Sequence, residues 1–477
     1  MFIYYFTYFI DILLIVYIGT FFIVYFIMLI FSIKELFDNI LKNRYFDYNR
    51  ILSFSKIPSV SVIAPAYNEE VTIVENIKCL LNLQYPDFEI IIVNDGSKDN
   101  SLEKIIKYFD LIKIDRAYEL EVPCAPIRGI YKSFNPAYNR LLVIDKENGG
   151  KADALNAGIN VSRKDLFLAL DVDCIIEHDA ITKMVKPFID ETDSIVVACG
   201  GVIRVANSCE IEDGRIVKIN FPKQFWAKFQ VIEYLRAFTL GRMAWSNING
   251  LLIISGAFGL FDRQRVVKVG GYDKSTVGED LELVVRLRKY MYEVEKIKHK
   301  IAFIPDPLCW TEVPSSFNIL SRQRNRWTRG AIDTIIKHKK MFFNPRYGVI
   351  GMLSFPYWVM YEWLAPFVQS LGLIYLAILV YLGRINIEIC VMILIFSIIF
   401  SVLYTSIAVF FEAFTYNKYK GIKYFFQINL LIILELIIYQ PLGVIFALAG
   451  NYNFFFRKKK SGWGNMTRTG FSNQGKQ

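Results

Sequence analysis

The sequence predicts an α/β domain with a largely parallel sheet, combined with an α-helical transmembrane domain and amphipathic interface helices. Three observations predict this. Short apolar runs at residues 60–64, 88–93, 141–144, 166–170 and 195–202 have the length of buried strands, and several end in polar or acidic residues. Uncharged runs long enough to cross a bilayer lie near both ends of the chain. Between the soluble part and the later runs, residues 317–343 are basic and amphipathic.

The apolar excess, 54% of 477 residues, is concentrated rather than spread. Residues 12–33, 364–383 and 389–411 are uncharged, and a span needs about 20 apolar residues. A fourth run begins near Tyr424, is interrupted by Glu435 and continues from 436 to 456. The first run lacks the basic n-region and small-residue cleavage site of a signal peptide, so it reads as an anchor. No basic residue precedes it, whereas Lys34, Lys42, Arg44 and Arg50 follow it, which places the next domain in the cytoplasm of a multi-pass plasma-membrane protein. The net charge of +10 reflects that bias and an anionic substrate. Nucleic acid is not expected, because the basic residues crowd the membrane boundary. Seven scattered cysteines suit a reducing compartment, and three histidines leave a carboxylate as the expected general base.

The α/β part begins at Val60, whose strand breaks into a loop at Pro65 with Tyr67 and Glu69 as candidate nucleotide contacts. A helical pattern over 71–83 leads to the 88–93 strand and Asn94-Asp95-Gly96, a βαβ unit in which Asp95 accepts from a ribose or base edge or simply forms a turn. After the 141–144 strand, Gly149-Gly150-Lys151 brings backbone N–H groups and a mobile cation to a helix start. Leu166–Leu170 then ends in Asp171-Val172-Asp173. Two carboxylates at the C-terminal end of a parallel strand face the crevice where such sheets bind ligands, and they suit Mg²⁺ or Mn²⁺. Residues 249–261 are apolar and small, with Ser255-Gly256, and Gly278-Glu279-Asp280 opens a helix over 281–290. In the amphipathic stretch, Gln323, Arg326 and Trp327 combine fork-shaped donors with a sugar platform. The tail, after Arg457–Lys460, carries Trp463 and Arg468.

In this order the motifs resemble those of the processive membrane-embedded family 2 glycosyltransferases, which include cellulose, hyaluronan, chitin and poly-N-acetylglucosamine synthases. Asp95 stands at that family's first nucleotide-binding aspartate, Asp171-Val-Asp173 at its metal-binding DxD, and Asp280 at its general base beside Glu279. Gln323-Arg-Asn-Arg326-Trp327 matches QxxRW, and Trp463 with Arg468 resembles the gating tail of hyaluronan synthases with two residues inserted.

The resemblance implies a GT-A fold over residues 58–316, after an N-terminal span (1–33) and a linker (34–57). An interface region (317–363), further spans (364–456) and a cytoplasmic tail (457–477) would follow. It implies that Asp171 and Asp173 hold the metal, and that Tyr67, Glu69, Asp95, Lys151, Asp171, Arg326, Trp463 and Arg468 hold the nucleotide sugar. Gln323 and Trp327 would hold the growing polysaccharide. The motif Gln-Arg-x-Arg-Trp-x-Arg-Gly leans towards UDP-glucose and a β-glucan. Poly-N-acetylglucosamine or hyaluronan synthesis, or a non-processive lipid-linked sugar transfer, stands as the alternative. An accessory subunit or a second copy stays open as a partner beside the bilayer.

Overall fold

The computed structural model describes residues 2–43, 57–212, 215–416 and 422–457. Its soluble domain is built on one ten-stranded sheet with the order β3-β4-β5-β2-β1-β6-β11-β8-β12-β7. The parallel heart is formed by β1 (Val60–Ala66), β2 (Phe88–Asn94), β5 (Leu141–Lys146) and β6 (Leu166–Leu170), in the register Val60 to Phe88, Val60 to Leu166 and Ile90 to Leu141. These strands are buried on both faces, which is why they read as continuous apolar runs. The hairpin β3 (Leu111–Ile114) and β4 (Ile127–Ser133) closes one edge antiparallel to β5. At the other side β11 (Phe258–Asp262) runs antiparallel between β6 and β8 (Ile195–Val205). Then β12 (His299–Thr311) lies parallel to β8, and the short β7 (Ile175–Ile176) ends the sheet. A separate pair, β9 (Glu210–Glu212) and β10 (Arg215–Lys218), stands outside it.

The helices, in chain order, begin with α1 (Phe2–Asn43), which runs unbroken past residue 33, so residues 34–43 are helix where a linker is expected. The helices of the α/β layers are α2 (Ile73–Leu81), α3 (Ser101–Tyr108), α4 (Lys151–Val161) and α5 (Ala180–Asp190). A longer helical segment follows: α6 (Phe225–Leu235), a π-helical turn (Arg236–Arg242) and α7 (Met243–Asn247). After α8 (Arg263–Lys268), α9 (Glu279–Tyr290) and α10 (Phe317–Lys337), residues Ile350–Trp363 form an irregular helical stretch bent by 44° onto α11 (Ala365–Tyr381). The chain continues in α12 (Ile387–Thr415), α13 (Ile422–Leu434), a π-turn (Glu435–Tyr439) and α14 (Gln440–Phe455).

Among the described residues, three helices are long and apolar enough to cross a membrane: Thr7–Lys42, Ile387–Thr415 and Phe426–Phe455. The bent pair ending in α11 makes a fourth if it is one span. These are the four runs the sequence singles out, but they do not pack alike. Along α11, Tyr375 donates to Asp11 of α1 at 2.8 Å, while α12 lays Phe396 and Phe400 against Phe22, each at 4.8 Å. Towards its C-terminal end α12 meets the soluble domain through a buried ion pair, Arg204 to Glu412.

The last run instead touches the α/β and interface elements along its length. Tyr424 stacks near Phe221 at 6.0 Å, and Arg236 holds Glu435 with two bonds of 3.0 and 2.7 Å. Tyr439 donates to Glu233 at 2.7 Å, and Trp363 donates to Asn451 at 2.9 Å. Glu435, the charge that interrupts the run in sequence, is therefore a buried partner of Arg236 rather than a charge left in hydrocarbon.

Candidate active site

The C-terminal ends of the parallel strands build the first half of the site. Asp95 follows β2 and is 3% exposed. Its Oδ1 accepts from Lys146 Nζ at 2.5 Å and from the Gly149 N–H at 3.0 Å, and its Oδ2 from the Gly150 N–H at 2.7 Å. Three donors occupy most of the roughly four lone-pair sites of a carboxylate. Its work in the ligand-free protein is thus to shape the loop that opens α4, rather than to stand open for a ribose or base. Gly150 needs its freedom there, since its φ of 88° is one that side chains rarely adopt. Lys146, fully buried, also pairs with Asp153 at 2.7 Å, and Asp153 pairs in turn with Lys274 at 3.0 Å. Two carboxylates and two ammonium groups close this cluster without surplus charge.

The second half faces open space. A cavity of about 430 Å³ is lined by Lys151, Asp171, Asp173, Glu279, Asp280, Gln323, Arg326 and Trp327, among others. Eight candidate residues drawn from four separated stretches of sequence thus meet in one place. Lys151, the first residue of α4, pairs with Asp171 and donates to the Gly256 carbonyl at 2.9 Å. On the other side of that glycine, the Gly256 N–H donates to Asp280 Oδ2 at 2.9 Å. The small-residue segment ahead of β11 therefore sets the spacing between the Asp171 end and the Asp280 end of the cavity.

Electrostatics divides the two acids that open α9. Burial pushes the Glu279 carboxyl up to about 7, and neighbouring Asp280 adds to the rise against the pull of Lys151 and Arg326. Burial alone lowers Lys151, but Asp171, Glu279 and Asp280 more than offset it and hold it above its ordinary value. Asp280 spends one bond of each oxygen on the Gly256 and Leu281 N–H groups and keeps lone pairs for a proton.

Helix α10 is set against α9 by direct backbone contact. A Cβ built on Gly330 would lie 2.7 Å from the Cα of Gly278, so only glycines allow the two elements to approach this closely. That contact fixes where Gln323 and Trp327 stand relative to Asp280. The Gln323 carbonyl oxygen is buried with no hydrogen-bond partner among the described residues, an acceptor open to a ligand hydroxyl. Trp327 is 41% exposed, and the Arg324 guanidinium stacks on it at 4.1 Å. One face of the indole is thereby covered.

Tyr67 and Glu69 are not among the residues lining this cavity. Tyr67 is 40% exposed, and Glu69 is tied into its own loop, its side chain accepting from Thr72 at 3.3 Å. Trp463 and Arg468 lie outside the described residues. Sequence reasoning passed over Arg242, Trp358, Glu362, Trp363 and Asn451, which also line the cavity. None of them carries a sequence signal of its own: Arg242 shares its helical run with Lys228, Glu233 and Arg236.

For a metal, the donor set is the pair Asp171 and Asp173. No group of three or more His, Cys, Asp or Glu side chains suited to a metal occurs among the described residues. Two carboxylates at the rim of a cavity fit a hard cation that keeps several waters and shares a substrate's phosphates, not a fully protein-caged ion.

The mixed sheet, the strand-end acids and the membrane helices define a GT-A glycosyltransferase carried on apolar helices. Residues 61–119 match the family described as "Glycosyl transferase family 2", and residues 129–330 match "Glycosyltransferase like family 2". The chain belongs to the family 2 glycosyltransferases. It is 28% identical over 294 residues to poly-beta-1,6-N-acetyl-D-glucosamine synthase of Staphylococcus epidermidis, covering 61% of this chain and 60% of that protein. The synthase of the same name from Staphylococcus aureus (strain COL) is 29% identical over 287 residues, 60% of this chain and 58% of that one. The chain thus spans about 60% of the length of these curated relatives. Among solved structures, a mannosyltransferase from Pyrobaculum calidifontis in complex with GDP-Man and Mn²⁺ covers 90% of this chain and 99% of its own. Its TM-score is 0.50 at 16% identity, which is a likeness of fold.

Proposed function

We propose that this protein is a processive, inverting glycosyltransferase that polymerises UDP-N-acetylglucosamine into a β-linked glycan and passes it into the membrane. The observation that carries this is the cavity that brings Asp171, Asp173, Asp280 and Trp327 together with Trp358, Trp363 and Asn451 of the later helical segments. A non-processive transferase needs room for one acceptor sugar, whereas aromatic side chains beyond Trp327 in the same cavity provide further stacking positions for a chain. The lean towards UDP-glucose finds no support in the curated relatives, whose printed names favour the N-acetylglucosamine alternative.

In the reaction, the acceptor hydroxyl oxygen forms a bond to the anomeric carbon as the bond from that carbon to the diphosphate breaks, releasing UDP. The proton of the hydroxyl passes to Asp280, and the single displacement turns an α-linked donor into a β-linkage. Lys151 and Arg326 place positive charge beside the departing diphosphate. A Mg²⁺ or Mn²⁺ ion at Asp171 and Asp173 would, when bound, neutralise charge on that diphosphate. Gln323 and Trp327 orient the terminal sugar, and the Gly256 peptide keeps Asp280 at a fixed distance from the donor end.

The proposed topology has three spans, α1, α11 and α12, with the last apolar run lying along the domain at the membrane interface. Its contacts from Tyr424 to Asn451 with interface and α/β elements support this, because a helix leaving for the far side of the bilayer would lose them. The last run then ends on the cytoplasmic side, in keeping with the basic cluster Arg457–Lys460 and with Trp463 and Arg468, outside the described residues, as donor contacts.

The test is incubation of the purified full-length protein with Mg²⁺ and either UDP-N-acetylglucosamine or UDP-glucose, measuring UDP release and digesting the product with linkage-specific glycanases. A long product cut by a β-N-acetylglucosaminidase is expected. A β-glucan, or a product extended by one sugar only, would overturn the reading.

A further inference from the structure

Arg242 stands at the end of the π-helical turn that interrupts the segment between α6 and α7. Such turns add a residue to the helical repeat and recur at functional sites. The Arg242 guanidinium carbon lies 3.9 Å from the centroid of the Phe238 ring, and the residue lines the cavity. Stacking fixes the guanidinium plane and leaves its edges for hydrogen bonding. One of those edges is unsatisfied: Nη1 is buried and donates to nothing among the described residues. A buried charged donor left unmet is unfavourable, so a ligand that meets it gains correspondingly. Burial holds the group down at about 10, and Asp280 is the carboxylate that opposes the shift.

Lys151 is taken up by Asp171 and the Gly256 carbonyl, whereas Arg242, laid on Phe238, lines the same cavity as Asp280, the proposed base. The cavity as a whole is lined by seven carboxylates and only three cationic side chains. An acceptor bearing its own phosphate would enter against that excess of negative charge. A neutral sugar offers what Nη1 lacks, an oxygen acceptor, without the repulsion.

We propose that Arg242 is a ligand of the acceptor sugar. It donates from Nη1 to a hydroxyl or acetamido carbonyl oxygen of the glycan's terminal residue and so holds the attacking hydroxyl against Asp280. This rests on the glycan-polymerising reading given above.

The experiment uses the full-length protein in detergent, with an N-acetylglucosamine oligosaccharide as acceptor, and compares wild type with Arg242→Met and Arg242→Lys. Arg242→Met is expected to raise the acceptor KM about 10- to 100-fold, as loss of a charge-assisted bond should. UDP affinity and acceptor-free hydrolysis of the donor should stay within about threefold, and Arg242→Lys should fall between, because it keeps charge without the planar fork. An unchanged acceptor KM in Arg242→Met would reduce the residue to packing against Phe238. Equal losses of donor hydrolysis and UDP affinity would make it a diphosphate clamp, and transfer only to a polyprenyl phosphate would also overturn the assignment. If Arg242→Met does not fold, Arg242→Lys decides alone by the same three readouts. Wild-type protein that releases no UDP from any donor defeats the underlying reading instead, a result distinct from each of these.

Discussion

Asp95 and Asp171 occupy matching places: each follows a parallel strand, and β2 and β6 flank the same central strand β1. Their fates differ. Asp95 is enclosed, with Lys146 and two backbone N–H groups on its oxygens, while the Asp171 side chain is 29% exposed at the cavity and meets a lysine that also reaches Gly256. The strand end brings a carboxylate to the crevice, but the adjoining loop decides whether its lone pairs remain for a ligand. After β5 the chain folds two glycines and a lysine back onto Asp95. Beside β6 it supplies only the small residues ahead of β11, and the crevice stays open.

The largest effect should come from the open side. Asp173→Asn removes an anionic oxygen donor without changing shape, so transfer should fall by about a thousandfold while the protein stays folded. Donor binding should lose its dependence on divalent cation. Near-normal turnover at saturating Mg²⁺ or Mn²⁺ would remove the distinction between the two ends of the sheet.

On the enclosed side the expected loss is in stability. Asp95→Asn leaves Lys146 buried against one carboxylate instead of two, and breaking a buried pair costs about 4 kcal/mol. Thermal unfolding in detergent should report it. A variant that unfolds like wild type yet no longer binds UDP would show Asp95 to be a nucleotide ligand after all, and would erase the contrast.

The same contrast explains what could be read in advance. The strands β1, β2, β5 and β6 were legible because burial on both faces writes a continuous apolar run, and Leu166–Leu170 is the strand the sequence outlines. By comparison β12 is illegible, since Pro305 and Pro307 argue against an internal strand. Register shifts between Ile304 and Pro307 and between Pro307 and Cys309 absorb them. Asp171, Asp173, Glu279 and Asp280 were legible because each stands at a strand end or helix start. Arg242 was not, because its role depends on a π-turn and on Phe238 beneath it, and neither leaves a mark in hydrophobic periodicity. Hydropathy likewise flags α12 and the last run alike. The bonds that tie Glu435 and Tyr439 of the last run to Arg236 and Glu233 leave no trace in hydropathy.

The smallest expected effect sharpens the comparison at Glu279. It is buried like Asp95, 6% exposed, but its strongest charged neighbour is the acid Asp280, so its carboxyl is held up at about 7 against an ordinary 4.5. A carboxyl raised in the folded state binds its proton more tightly there than in the unfolded chain. The sign follows: the contribution of Glu279 to ligand-free stability is greatest below pH 4.5, falls as pH rises towards 7, and is flat above. Glu279→Gln carries no charge to desolvate, so it should abolish that slope. It should exceed wild type in stability above pH 7 by at most about 3 kcal/mol, with little difference at pH 4. Unfolding curves of the nucleotide-free proteins at pH 5 and pH 8 give the answer. A stability difference that does not change between those two values would mean that Glu279 is ionised throughout, with Lys151 and Arg326 balancing it as Lys146 balances Asp95.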